Sequence, residues 1–126
     1  MTMNLDFNKN EDKMKLLISQ MEQRLQKIYL GGGKSRIDKL HEQGKMSARE
    51  RIDFLLDKNT PRFEMGAFAG YEMYPEHGGC PGGGVVIVIG YVSGKQCIVV
   101  ANDATVKAGA WFPLTQKDEA RLVLQP

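Results

Sequence analysis

From Lys13 to Ile28 the apolar residues Met14, Leu17, Ile18, Met21, Leu25 and Ile28 recur every three or four positions, the spacing that gathers them on one stripe of an α-helix. An amphipathic helix is expected there, with a face that must dock on something. Gly31, Gly32 and Gly33 follow. Consecutive glycines lose the most entropy in a helix and accept left-handed dihedrals, so they end it. The pattern predicts a second helix from about Ser35 to Gln43, with Ile37 and Leu40 inward and Gly44 as its stop. Ser47, with Glu50 three residues later, has the form of a capping box in which each side chain satisfies the other's free backbone donor. A third short helix is expected after it, burying Ile52, Leu55 and Leu56.

Beyond Pro61 the helical period gives way to Gly and β-prone residues, and extended structure is expected from Phe63 to Tyr74. Pro75 to Gly84 holds five glycines and two prolines, so a mobile surface loop is expected there. The run Val85, Val86, Ile87, Val88, Ile89 is apolar on both faces, as in a buried strand. A turn at Ser93 and Gly94 should join it to Gln96 through Ala101 as a hairpin. Asn102, Asp103 and Ala104 follow, and then a stretch of small residues from Lys107 to Trp111. No internal repeat is apparent. Two segments are therefore expected, helical over 1–62 and strand-rich over 63–126.

Composition narrows the function classes. The 126 residues are 42% hydrophobic and 25% charged, which suits one soluble domain with a modest core. No run of about 18 apolar residues occurs and the N-terminus is polar, so a cytoplasmic protein that does not insert into membranes is expected. A net charge of +2, without basic residues interleaved with aromatics, argues against nucleic acid. The charge is split: residues 1–62 carry 13 Lys and Arg against 9 Asp and Glu, and residues 63–126 carry 4 against 6. Cys80 and Cys97 are too few and too widely spaced for a zinc set or a disulfide scaffold.

Candidate chemistry is sparse. Gly33, Lys34 and Ser35 resemble the end of a phosphate-binding loop, but Ile28 stands where the first glycine is needed, and a helix rather than a strand leads in. Glu76, His77 and Cys80 are metal-ligand types in a spacing that matches no closed zinc site, so no metal is expected. His41, among charged residues, reads as a solvated surface histidine. Asn102, Asp103 and Thr105 read as a strand-end turn that satisfies local backbone donors. Lys107, Ala108, Gly109 and Ala110 admit a second reading. Small residues directly after a strand let backbone N–H groups approach a ligand, as an oxyanion hole for a thioester carbonyl requires. Close packing of strand and helix would favour the same residues.

Gly44 to Asp57, GKMSARERIDFLLD, resembles the helical signature near the start of carboxyltransferase β-subunits of the propionyl-CoA and methylcrotonyl-CoA carboxylase type. Gly83 to Pro113, GGVVIVIGYVSGKQCIVVANDATVKAGAWFP, is similar to the hairpin and first active-site strand of the same family, most nearly its methylcrotonyl-like branch. The resemblance implies an α/β crotonase-like fold, incomplete here, in which repeated ββα units place backbone amides against an acyl-CoA thioester. It implies transfer of a carboxyl group between an acyl-CoA and biotin, with biotin on a separate carrier. The implied partners are biotin carboxylase and biotin carrier subunits and further copies of the chain. The oxyanion hole for the biotin ureido group lies, in that family, in the C-terminal half of a partner subunit. Lys107, Ala108, Gly109 and Ala110 are the implied acyl-CoA contacts, with no side-chain acid or base. The related alternatives are the α-subunit of a sodium-pumping acyl-CoA decarboxylase, or an inactive assembly fragment. The family continues past Pro113 into a basic helix that only Lys117 and Arg121 match here, so an N-terminal piece, ended by truncation or a frameshift and inactive alone, is expected.

Overall fold

The computed structural model describes residues 2–110. Three helices come first: α1 at Thr2–Tyr29, α2 at Lys34–Glu42 and α3 at Ala48–Leu55. A three-stranded antiparallel sheet follows, with β1 at Phe63–Met65, β2 at Val85–Val92 and β3 at Lys95–Asn102, in the order β1-β2-β3. Single 3-10 turns occupy Pro75–His77, Pro81–Gly84 and Lys107–Gly109.

Helix α1 begins eleven residues before the expected Lys13, because the polar stretch to Asp12 contains no Gly or Pro to stop it. Its apolar stripe is covered only at the C-terminal end. Ile28 is buried and Leu25 half-buried, whereas Met14, Leu17, Ile18 and Met21 are exposed. The capping box forms as expected: the Ser47 hydroxyl accepts the Glu50 N–H at 3.3 Å, and the Glu50 carboxylate accepts the Ser47 N–H at 2.7 Å. Helix α3 then buries Ala48 and Ile52, with Leu56 just beyond its end. Leu55 is exposed, contrary to expectation. The chain leaves the helix at Leu56 in an extended conformation, so Leu56 rather than Leu55 turns to the sheet.

Strand β2 lies between two partners, and its first four residues, Val85 to Val88, are buried on both faces of the sheet. Val88 faces Val99 and Glu64, while Ile87 faces Val100 and Met65. On one face Val86, Val88 and Ala101 pack against Ala48, Ile52 and Leu56, forming the main core. The opposite face carries Val85, Ile87 and Ile89 beside Phe63, Ile98 and Val100, and the last three are exposed. The hairpin closes through Ser93 and Gly94, whose φ values of 52° and 77° suit a two-residue reversal between right-twisted strands. Asp57, just past α3, accepts both turn amides, from Ser93 at 2.8 Å and from Gly94 at 2.7 Å.

Two expectations fail between the helices and β2. Extended structure from Phe63 to Tyr74 is confined to Phe63–Met65; turns follow, with Glu72 and Tyr74 at positive φ. The segment Pro75 to Gly84 is not wholly on the surface, since Cys80 and Gly82, Gly83 and Gly84 are buried. Gly83 N–H bonds to the carbonyls of Ala69 and Cys80, at 3.0 and 3.1 Å. Small residues here admit close backbone packing as well as freedom in the unfolded chain. Trp111, Pro113, Lys117 and Arg121 lie outside the described residues.

Candidate functional site

Strand β3 ends at Asn102, and the next eight residues form a knot of backbone bonds. Asp103, only 9% exposed, accepts the Thr105 N–H at 2.9 Å and the Thr105 hydroxyl at 2.5 Å. Its own N–H bonds to the Gly84 carbonyl at 3.0 Å, pinning the end of β3 to the start of β2. The strand-end turn read from Asn102, Asp103 and Thr105 thus forms, and two of its residues are buried rather than solvated. Val106 follows, 1% exposed, in a small apolar cluster with Cys80 and Tyr74.

The candidate residues come next and form one left-handed turn. Lys107, Ala108 and Gly109 have φ of 48°, 52° and 81°. For a residue with a Cβ this region costs about 1–2 kcal/mol, so two such residues in succession are held by their surroundings. The holding bonds are Gly109 N–H to the Val106 carbonyl and Ala110 N–H to the Lys107 carbonyl, both at 2.9 Å. The Ala108 N–H meets no acceptor among the described residues. Lys107, Ala108 and Ala110 are exposed and Gly109 half-buried. Backbone strain held at an exposed turn with an available amide is a feature of ligand-contacting segments.

The glycines at Gly31 and Gly32 do more than end α1. Gly32 N–H donates to the Thr105 hydroxyl at 2.9 Å, and the Arg36 guanidinium donates to the Thr105 carbonyl at 2.8 Å. A Cβ at Gly32 would lie 1.9 Å from that carbonyl oxygen. The approach needs glycine, and no local pattern reveals it, because 73 residues separate the partners.

Other titratable groups gather elsewhere. A cleft of about 350 Å³ between α3 and the sheet is lined by Tyr29, Arg49, Asp53, Arg62 and Glu64 among others. There Arg49 forms a two-pronged ion pair with Glu64, at 2.5 and 2.8 Å, and stacks on Tyr29 with its guanidinium 4.3 Å from the ring centre. Arg62 pairs with Asp53 at the exposed rim. With their charges already matched, these residues tie α1, α3 and β1 together. His41 is exposed, as expected, and bonds both Glu50 oxygens at 2.9 Å. That bond, with the Ser47 N–H, holds the Glu50 carboxyl below the usual carboxylate range. Glu76 is exposed while Cys80 is buried against Val106, and among the described residues no three His, Cys, Asp or Glu side chains gather to hold a metal.

Comparison with known proteins gives these features a family. Residues 39–125 match the carboxyl transferase domain family, and the chain belongs to it. The chain is 40% identical over 116 residues to the probable mitochondrial methylcrotonoyl-CoA carboxylase beta chain of Drosophila melanogaster, covering 92% of this chain and 20% of that one. It superimposes on the beta subunit of geranyl-CoA carboxylase from P. aeruginosa with a TM-score of 0.79 and 30% identity, over 92% of this chain and 21% of that one. Transcarboxylase 12S, in a structure with methylmalonyl-coenzyme A and methylmalonic acid bound, superimposes with a TM-score of 0.77 and 31% identity, over 86% of this chain and 22% of that one. The helices and antiparallel sheet are thus part of a crotonase-like carboxyltransferase fold, and the chain spans about a fifth of the length of these relatives. Among the described residues no helix is long and apolar enough to cross a membrane.

Proposed function

We propose that this chain forms the opening part of a carboxyltransferase subunit that moves a carboxyl group between carboxybiotin and an acyl-CoA, and that the turn at Lys107, Ala108, Gly109 and Ala110 meets the thioester. The observation that carries the reading is the left-handed turn that follows β3 after Asp103–Val106, exposed and with an Ala108 amide that meets no acceptor among the described residues. A fixed N–H aimed at a thioester oxygen stabilises the negative charge that develops there when the acyl group loses its acidic proton. Such a donor needs no reorganisation as the reaction proceeds. Gly109 leaves the approach clear, and Val106 and Asp103 hold the turn in place. Biotin supplies the carboxyl group.

Biotin carboxylase and biotin carrier subunits, together with further copies of the chain, are the partners this reading implies, and the cytoplasm is the implied compartment. The carboxylase names of several relatives support an acyl-CoA carboxylase subunit, and a relative named methylmalonyl-CoA decarboxylase subunit alpha supports the reverse direction as the second reading. The test is Gly109→Val in an intact subunit carrying this segment. A branched side chain at a φ of 81° disturbs the turn and crowds the approach. Turnover per folded subunit should fall by about 10²- to 10³-fold, the usual loss for one oxyanion donor. Near-normal turnover, with only a lowered Tm, would mean that the turn serves packing and would remove residues 107–110 from the site.

A further inference from the structure

Thr105 stands where the helical junction, the end of β3 and the left-handed turn meet. It is 3% exposed, and its polar groups are all engaged. Its amide donates to the Asp103 carboxylate at 2.9 Å and its hydroxyl to the same oxygen at 2.5 Å. The hydroxyl also accepts the Gly32 N–H at 2.9 Å, and the carbonyl accepts Arg36 at 2.8 Å. The direction of these bonds is fixed. Gly32 can only donate, so the hydroxyl proton is left for the carboxylate, and no apolar side chain of the same shape can serve both partners. Thr105 is followed by Val106, buried against Cys80, whose carbonyl accepts the Gly109 N–H at 2.9 Å. A continuous set of bonds and packed atoms therefore runs from Gly32 through Thr105 and Val106 to the turn.

We propose that Thr105 is a positioning residue for acyl-CoA: it ties the Gly31–Arg36 junction to the left-handed turn and so fixes where the Ala108 amide points. This rests on the reading that residues 107–110 meet the thioester. Thr105 lies three residues from Ala108, and Asp103 anchors it on the sheet side. Relaxing the Thr105 backbone shifts the amide while leaving the more distant parts of the ligand in place.

The test compares Thr105→Val, Thr105→Ser and Arg36→Ala in an intact subunit carrying this segment, with Gly109→Val alongside. Small misplacements of a catalytic group cost up to about 10²-fold in rate. Thr105→Val, which leaves the Gly32 N–H without an acceptor, is expected to lower kcat per folded subunit by about that factor while KM for acyl-CoA changes far less. Thr105→Ser restores both partners and should recover most of the rate. Arg36 is exposed, so Arg36→Ala should fold even where Thr105→Val does not, and is expected to lose about tenfold in kcat. A lowered Tm with parental kcat in Thr105→Val overturns the proposal, and so does parental kcat in Arg36→Ala. If those variants keep their rate while Gly109→Val is inactive, the positioning role fails and the site reading stands. If Gly109→Val also keeps its rate, both fail.

Discussion

Replacing Gly32 with alanine separates close packing from backbone conformation. Gly32 is not among the residues at positive φ, so alanine fits its dihedrals and by itself should stabilise the fold slightly. Restricting the unfolded chain in this way is worth about 0.4–1 kcal/mol. Space is the obstacle. The new Cβ would stand 1.9 Å from the Thr105 carbonyl oxygen and 2.6 Å from its carbon, roughly 1.5 Å inside an ordinary contact. Both atoms are backbone, so the junction itself must retreat. A retreat of that size breaks the Gly32 bond to the Thr105 hydroxyl at 2.9 Å and the Arg36 bond to its carbonyl at 2.8 Å. Two part-buried bonds at about 1–1.5 kcal/mol each give a loss of about 2–3 kcal/mol, which the entropic gain reduces to a net of about 2 kcal/mol. Urea unfolding followed by circular dichroism should show the midpoint falling at an unchanged slope. A midpoint equal to or above the parent's would show that the junction does not rest on Thr105, and would refute the reasoning.

Arg49→Ala leaves the largely buried Glu64 carboxylate unpaired and removes the stack on Tyr29; a loss of about 2–3 kcal/mol in the same unfolding measurement is expected, discounted from a fully buried pair because both side chains keep some solvent. Asp57→Ala strips the acceptor from the Ser93 and Gly94 amides and should cost about 1–2 kcal/mol, visible as faster amide exchange in the hairpin turn. The folded-state pKa of Glu50 is lowered, so its contribution is complete above the ordinary carboxylate pKa and disappears as pH falls through the folded value. A Glu50→Gln comparison across about pH 3 to 6 should show the parent's advantage shrinking with acid, and a constant difference would contradict this. The purified chain should self-associate through the exposed apolar residues of α1 and the Phe63, Ile98 and Val100 face of the sheet; light scattering that finds only monomer at micromolar concentrations would count against it.

Local chemistry was legible in the sequence wherever one short stretch carries the whole device. Ser47 and Glu50 form the capping box because both partners lie within one helical turn. Val85 to Ile89 reads as a buried strand because burial on both faces leaves no polar alternation, and Ser93 with Gly94 closes the hairpin because Gly94 accepts positive φ freely. Composition was ambiguous where two physical demands favour the same residues. Glycines between Pro75 and Gly84 suggested a free loop, yet three of them are buried where backbones pack closely. Leu55 and Leu56 are equally apolar, and only the exit angle of α3 decides that Leu56 enters the core.

The candidate turn shows the same division. Small residues after a strand marked Lys107 to Ala110, but the left-handed dihedrals, and an Ala108 amide that meets no acceptor among the described residues, belong to the folded chain. The sequence by itself determined that three helices form, the capping box that opens α3, the hairpin and the family resemblance, since these depend on neighbours within a few residues or on long matching segments. Tertiary structure alone decided that Gly32 and Arg36 meet Thr105 and that Arg49 meets Glu64 and Tyr29. Such contacts join residues from distant parts of the chain, and no periodicity or local propensity encodes which distant donor will find which acceptor.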